Sequence, residues 1–278
     1  MDLNFFQSLL YGLIAGLTDI LPVSAQAHKA ILLKIFGADS EPGVLRLMIH
    51  IATLAALYYS CGGQITRLVR QQKLARVPKR RRKRPVDMRS IMDIRLLRTM
   101  LIPVILGFLI YFKTDAISTS LMWSAVFLLV NGLLLFLPAL LPSGNKDSRS
   151  MSRLDGLMMG LGGAAAALPG ISAVGAATSV AVIRGTDRVY AVNMALLMQM
   201  AVTVGLLIHD FIALFMGNAG ALSFGILMGY LLAAICAFVG TFLGIRLVRS
   251  LAVHRGFDIF AYYCWGAAFF AFILYLSV

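Results

Sequence analysis

Apolar residues in this chain run on without alternating. Six runs, at about 44–60, 98–112, 121–141, 191–216, 222–246 and 257–277, approach or exceed the roughly 17–25 residues that a helix needs to cross a bilayer. Lipid offers no partner for a backbone N–H or C=O, so spanning segments must be helices or a closed barrel. Barrel strands alternate over about ten residues, and these runs do not. They predict helices. Two further apolar stretches differ: residues 5–36 are interrupted by Leu21-Pro22-Val23-Ser24, and residues 154–184 by Leu168-Pro169-Gly170-Ile171-Ser172. Proline removes a helix donor and pushes the residue before it out of the α region. Each stretch therefore predicts two half-helices, with Ser24 and Ser172 as N-caps of the second.

Composition agrees. Hydrophobic residues make up 60% of the chain and charged residues 13%, about half the charged share of a soluble domain, and mean hydropathy is +0.86. The net charge of +13 raises the question of nucleic acid, but 13 of the 25 Lys and Arg lie between Arg67 and Arg98 with no aromatic residue among them for base stacking. That pattern predicts no nucleic-acid partner. It predicts a basic cytoplasmic loop over 61–98 that obeys the positive-inside rule and touches anionic headgroups. The three cysteines have no metal spacing. The N-terminus has no basic leader or cleavage site and reads as membrane segment.

Charge also orders the crossings. With 61–98 inside, Lys146, Arg149 and Arg153 return to the inside, and segment 154–184 must begin and end there because Arg184 and Arg188 follow it. Gly217–Gly220, and Gly37–Gly43 with Asp39 and Glu41, then lie outside, as do both termini. The expected fold is an all-α polytopic membrane protein in one domain, 1–278. It is an inverted repeat whose halves, about 1–145 and 146–278, are each a re-entrant helical hairpin plus three transmembrane helices, the arrangement in which transporters place a site at the midplane.

The first break reads Gly16-Leu17-Thr18-Asp19-Ile20-Leu21-Pro22-Val23-Ser24-Ala25-Gln26-Ala27-His28, and the second Pro169-Gly170-Ile171-Ser172-Ala173-Val174-Gly175-Ala176-Ala177-Thr178. Together they resemble the two motifs of the undecaprenyl-pyrophosphate phosphatase family of the bacitracin-resistance type, which run approximately E-G-L-T-E-F-L-P-V-S-S-T-G-H and P-G-x-S-R-S-G-A-T. The resemblance implies a multi-pass protein of the plasma (inner) membrane with six crossings and two re-entrant hairpins. It further implies hydrolysis of the pyrophosphate of a C55 lipid carrier and dependence on a divalent cation (Mg or Ca). By position, Asp19, Ser24, His28 and Ser172 are retained as site residues, with Gly185 and Arg188 matching the glycine and arginine that follow the second motif. A homodimer stays an open arrangement.

The departures change the expected chemistry. Ala15 stands for a glutamate, Ala25 for the second serine, Ala173 for a phosphate-clamping arginine and Val174 for the following serine; Asn193 stands where an acid is common. Arginine offers phosphate a bidentate fork that alanine cannot, and a lone Asp19 leaves a weak metal site. The expected function is thus recognition of a polyprenyl (pyro)phosphate lipid by a diverged member that binds or moves it, with hydrolysis weak or absent. The phosphate would lie against Ser24, Gln26, Ser172, Gly175 and Arg188, and the half-helix N-termini would supply free N–H groups. Any catalysis would use Ser24, Asp19 and His28, with His28 activating Ser24 or a water. Lys29 could stand in for the missing arginine and His50 could line the cavity, while His209 and Asp210 read as solvated or paired structural groups. An active, rewired phosphatase and a transporter of a non-lipid solute are the alternatives.

Overall fold

The computed structural model describes residues 3–277 apart from 39, 83, 115–119, 143, 217–223 and 255–256, so the expectations for Asp39 and Gly217–Gly220 lie outside the described residues. Among the described residues ten α-helices follow in order: α1 (Phe5–Ile20), α2 (Ala25–Phe36), α3 (Gly43–Arg76), α4 (Met88–Thr114), α5 (Leu121–Phe136), α6 (Arg153–Ala164), α7 (Ala173–Ile183), α8 (Arg188–Met216), α9 (Phe224–His254) and α10 (Asp258–Leu276). Once the 3-10 turn Leu137–Leu140 that extends α5 is counted, two helices of at most 16 residues are followed by three of 19 or more, twice over. Among the described residues six segments are long and apolar enough to cross a membrane, and each overlaps one of the six predicted crossings.

The two proline-interrupted stretches are broken as expected. α1 and α2 have 16 and 12 residues, and α6 and α7 have 12 and 11. At 1.5 Å per residue none exceeds about 24 Å, short of a ~30 Å hydrocarbon core. α6 begins and α7 ends side by side. The Lys146 amide donates to the Gly185 carbonyl at 3.0 Å, and the Asp187 amide to the Lys146 carbonyl at 3.0 Å. Arg184 Nε is bonded to Asp155, whose carboxylate closes a capping box with Ser152.

The basic segment departs from expectation. Residues 61–98 are mostly helix, not loop: α3 runs on to Arg76 and α4 starts at Met88, leaving 77–87, with one 3-10 turn (Lys79–Arg81), as the connection. Arg, Lys, Gln and Leu are good helix formers, and once the helix leaves lipid nothing stops it until Pro78. Seven of the segment's 13 Lys and Arg therefore stand on the two helices, and the rest lie in the connection.

Small residues set the closest approach. α1 packs on α9 through Gly12 and Gly16, and a Cβ built at Gly16 would lie 2.1 Å from the Ala237 carbonyl oxygen. The two breaks also touch. Asn131 of α5, fully buried, donates its amide to the Pro22 carbonyl at 2.9 Å, and its side-chain oxygen accepts the Ser172 amide at 3.0 Å. The Ser172 hydroxyl donates to the Leu21 carbonyl at 3.3 Å. Asn131 thus satisfies one backbone group from each break, groups that lipid would leave orphaned.

Two stability outcomes follow from these contacts. Asn131→Ala strips partners from a buried carbonyl and a buried amide, and thermal unfolding in detergent should show a loss of roughly 2–5 kcal/mol. Gly16→Ala should cost about 1–3 kcal/mol through the α1–α9 contact, whereas Gly62→Ala, with nothing within 4 Å of the added methyl, should cost nothing.

Candidate functional site

A cavity of about 340 Å³ opens where the breaks meet. Its floor is built from Asp19, Ser24, Ala25, Gln26, Ser172 and Ala173, and its wall continues through Lys29, Arg46, His50 and Gln199 to Ser40 and Glu41 between α2 and α3. Helix periodicity explains which residues of α2 take part. Ala25, Gln26, Lys29, Ala30 and Leu33 recur at the spacing of one helix face and all line the cavity.

Ser24 is the most unusual residue of the floor. It is the non-glycine residue with positive φ among those described, at φ +68° and ψ +108°, a conformation that costs on the order of 1–3 kcal/mol. It holds the N-cap position of α2 but makes no side-chain cap, contrary to expectation: a capping residue ordinarily has β-region backbone, and Ser24 does not. The buried hydroxyl has no hydrogen-bond partner among the described residues. The first turn of α2 is therefore uncapped, with the positive end of its dipole at the cavity floor. The second break behaves differently. Ser172 does cap α7: its hydroxyl accepts the Gly175 amide at 3.2 Å, and its own amide is held by Asn131. The amide expected to make Gly175 a phosphate donor is already occupied.

His28 is also placed differently from expectation. It lies about 200° around α2 from Gln26 and does not line the cavity. Its Nδ1 contacts the Ser24 carbonyl at 2.7 Å and its Nε2 the Tyr263 hydroxyl at 2.8 Å, with the two rings stacked at 5.6 Å. Both nitrogens are committed, Nδ1 to the start of α2 itself and Nε2 to joining α2 to α10. Activation of the Ser24 hydroxyl by His28 is not the arrangement present. Arg188 is likewise outside the cavity, its guanidinium donating to the Pro138 carbonyl at 2.9 Å.

Other expectations meet the wall. Lys29 lines the cavity and pairs with Glu41 at 3.2 Å. His50 lines it too, with Nδ1 2.5 Å from Asp210. Asp210 is not solvated: its side chain is fully buried between His50 and Arg46, whose Nε lies 2.8 Å away. Arg46, Gln199 and Asn131 escaped the sequence reading. Arg46 had a usable sign, as an ionisable residue inside an apolar run. Asn193, at the position where an acid was expected, accepts from Arg249 at 3.1 Å.

The site's departures are visible in space. Ala25 and Ala173 present methyl groups to the cavity where the resemblance implies a hydroxyl and a guanidinium, while Ala15 and Val174 are buried in the core. The implied divalent cation does not fit this donor set. Among the described residues no three His, Cys, Asp or Glu side chains gather, and Asp19 is the carboxylate at the floor. A hard divalent ion wants several oxygen ligands and more than one negative charge.

Comparison with known proteins bears on this geometry. The family model described as "Bacitracin resistance protein BacA" matches residues 8–270. Proteins named undecaprenyl-diphosphatase from Methanobrevibacter smithii and Carboxydothermus hydrogenoformans are each 27% identical, over 95% of this chain and 95% and 94% of their own lengths. One named undecaprenyl-diphosphatase 3 from Bacillus cereus is 27% identical over 95% of both chains. A match over nearly the whole chain, two breaks that meet at a cavity and six membrane-length helices lead to one statement: this chain is a multi-pass membrane protein that belongs to the BacA bacitracin-resistance family.

Proposed function

We propose that the protein binds the phosphate headgroup of a polyprenyl phosphate or pyrophosphate lipid at the uncapped N-terminus of α2, and moves it with hydrolysis weak or absent. The observation that carries this reading is the pairing of that open helix end with the unpartnered Ser24 hydroxyl at the floor of the cavity. Amides at a helix N-terminus point at an anion and the dipole favours it, and a hydroxyl adds a donor. Gln26 and Lys29 lie on the same face of α2. The choice of a polyprenyl lipid rests on the relatives' name, undecaprenyl-diphosphatase.

The case against efficient hydrolysis is chemical. Phosphoryl transfer depends on charge neutralisation and on a positioned nucleophile or water. Ala173 supplies no charge, Ala25 no hydroxyl, and His28 faces α10. Hydrolysis through Ser24 is the second reading, favoured by its strained backbone and free hydroxyl, but no base contacts that hydroxyl among the described residues.

Movement would use the two pairs of short helices as re-entrant hairpins of an inverted repeat, with the membrane-depth site exposed alternately to each side. In this reading the protein lies in the plasma membrane with its basic end in the cytoplasm, and the cavity wall at Ser40 and Glu41 faces the opposite side.

Binding and phosphate release, measured on one purified sample with undecaprenyl phosphate and undecaprenyl pyrophosphate, should show saturable binding with little release. Turnover at the rate of an active phosphatase would overturn the reading. Ser24→Ala breaks no internal hydrogen bond, so the melting temperature should hold within about 0.5 kcal/mol of stability while lipid phosphate binding weakens roughly 5–20-fold. Ala173→Arg, which returns a guanidinium to the floor, should tighten pyrophosphate-lipid binding by about tenfold; unchanged affinity would place the headgroup elsewhere.

A further inference from the structure

Lys29, Arg46, Asp19 and Glu41 line the cavity, but their ion pairing leaves one of them out. Lys29 is matched by Glu41, and Arg46 by Asp210, at ion-pair distance. Asp19 remains. Its contact among the described residues is the Gln199 side-chain amide, which donates to it at 3.2 Å. Counting histidines as neutral, Lys29 of α2 is the cation that faces it, and Lys29 lies on Glu41; His50 of α3 also faces it and lies on Asp210. A carboxylate taken out of water with one neutral donor is costly, and the surroundings must supply a compensating charge.

Oxygen atoms without partners collect at the same place. The Gln199 side-chain oxygen, the Gln26 side-chain oxygen and the Ser24 hydroxyl are buried and unbonded among the described residues, and all three residues line the cavity with Asp19. Gln199 is 2% exposed and Ser24 1%. An amide oxygen can only accept, so two such atoms lining one cavity with a carboxylate suit a cation, which carboxylate and neutral oxygens can share. Asp19 also sits in the last turn of α1, where the helix dipole presents its negative end. Broken helices hold alkali cations in this manner, with the negative end of a half-helix and neutral oxygens around the ion.

We infer that Asp19, Gln26 and Gln199, with the Ser24 hydroxyl, form a site for a monovalent alkali cation such as sodium, in place of the divalent ion that this donor set does not fit. One carboxylate with neutral oxygens balances a single positive charge and leaves a divalent ion with an uncompensated excess. The site lies next to the uncapped end of α2, so cation and anionic headgroup would occupy adjoining positions and each would favour the other. The inference stands on the unpaired Asp19 carboxylate and the unbonded oxygens, and does not require the lipid reading.

The test uses the full-length protein in detergent without lipid. Thermal unfolding is followed in choline chloride, sodium chloride and potassium chloride at equal ionic strength, with magnesium chloride and calcium chloride as separate additions. Sodium should raise the melting temperature saturably, by roughly 3 °C or more over choline, and magnesium or calcium should add nothing beyond ionic strength. Asp19→Asn should abolish the sodium shift. Gln199→Leu, which keeps the carboxylate and removes the amide, should weaken the apparent sodium affinity at least fivefold and serves if Asp19→Asn fails to fold. No difference among the salts (a proton on Asp19 only), a sodium shift that survives both substitutions, or a stronger response to a divalent ion would each overturn the inference. Undecaprenyl phosphate binding is then titrated in sodium and in choline. A sodium shift with no lipid binding would sink the lipid reading alone, and lipid binding with no sodium shift would sink the cation site alone.

Discussion

The fold depends on how two interrupted helices satisfy their backbone groups where no water is available. Pro22 and Pro169 end the regular hydrogen-bond ladder inside the apolar body, and the freed groups need partners. Asn131 answers for one from each break, and Ser172 reaches the carbonyl of Leu21. That small polar knot holds the floor of the cavity together. Without it the two proline turns would be separate defects in separate helices.

The knot is asymmetric, and the asymmetry shapes the site. Ser172 and Asn131 occupy the amides that open α7, so that helix end is finished internally. Ser24 is held in a backbone conformation that leaves its own side chain unused and its helix end open. Strain of this kind persists only where surrounding contacts impose it, and here they lie within one turn: the His28 ring grips the Ser24 carbonyl and leans on Tyr263. His28 therefore acts on the site as a brace from behind.

Much of this was legible in the chain, and the limits are instructive. The crossings followed from the length of apolar runs, and the breaks from prolines inside them, because both are local constraints. The face taken by His28 is readable from helix periodicity, since residue 28 falls far around the helix from residue 26, whereas the motif that implies a site role for His28 says nothing of facing. The extent of α3 was hidden because charge was equated with loop, although Arg, Lys and Gln continue a helix readily. The partners that define the cavity were not legible. His50 meets Asp210 across 160 positions and Asn131 meets Pro22 across 109. Nothing local in a sequence announces such a pairing.

The way α10 is attached has an optical consequence. α10 packs chiefly on α5, with Trp265 donating to the Leu129 carbonyl, and touches α2 through Tyr263. The chain has two tryptophans, Trp123 on α5 and Trp265 on α10, so all of its indole emission arises from this one pair of helices. Asn131, which bonds to both proline turns, sits on the same α5. The protein thus carries an intrinsic, label-free reporter on the seam that supports its cavity, and its emission registers the surroundings of that pair above those of the rest of the molecule.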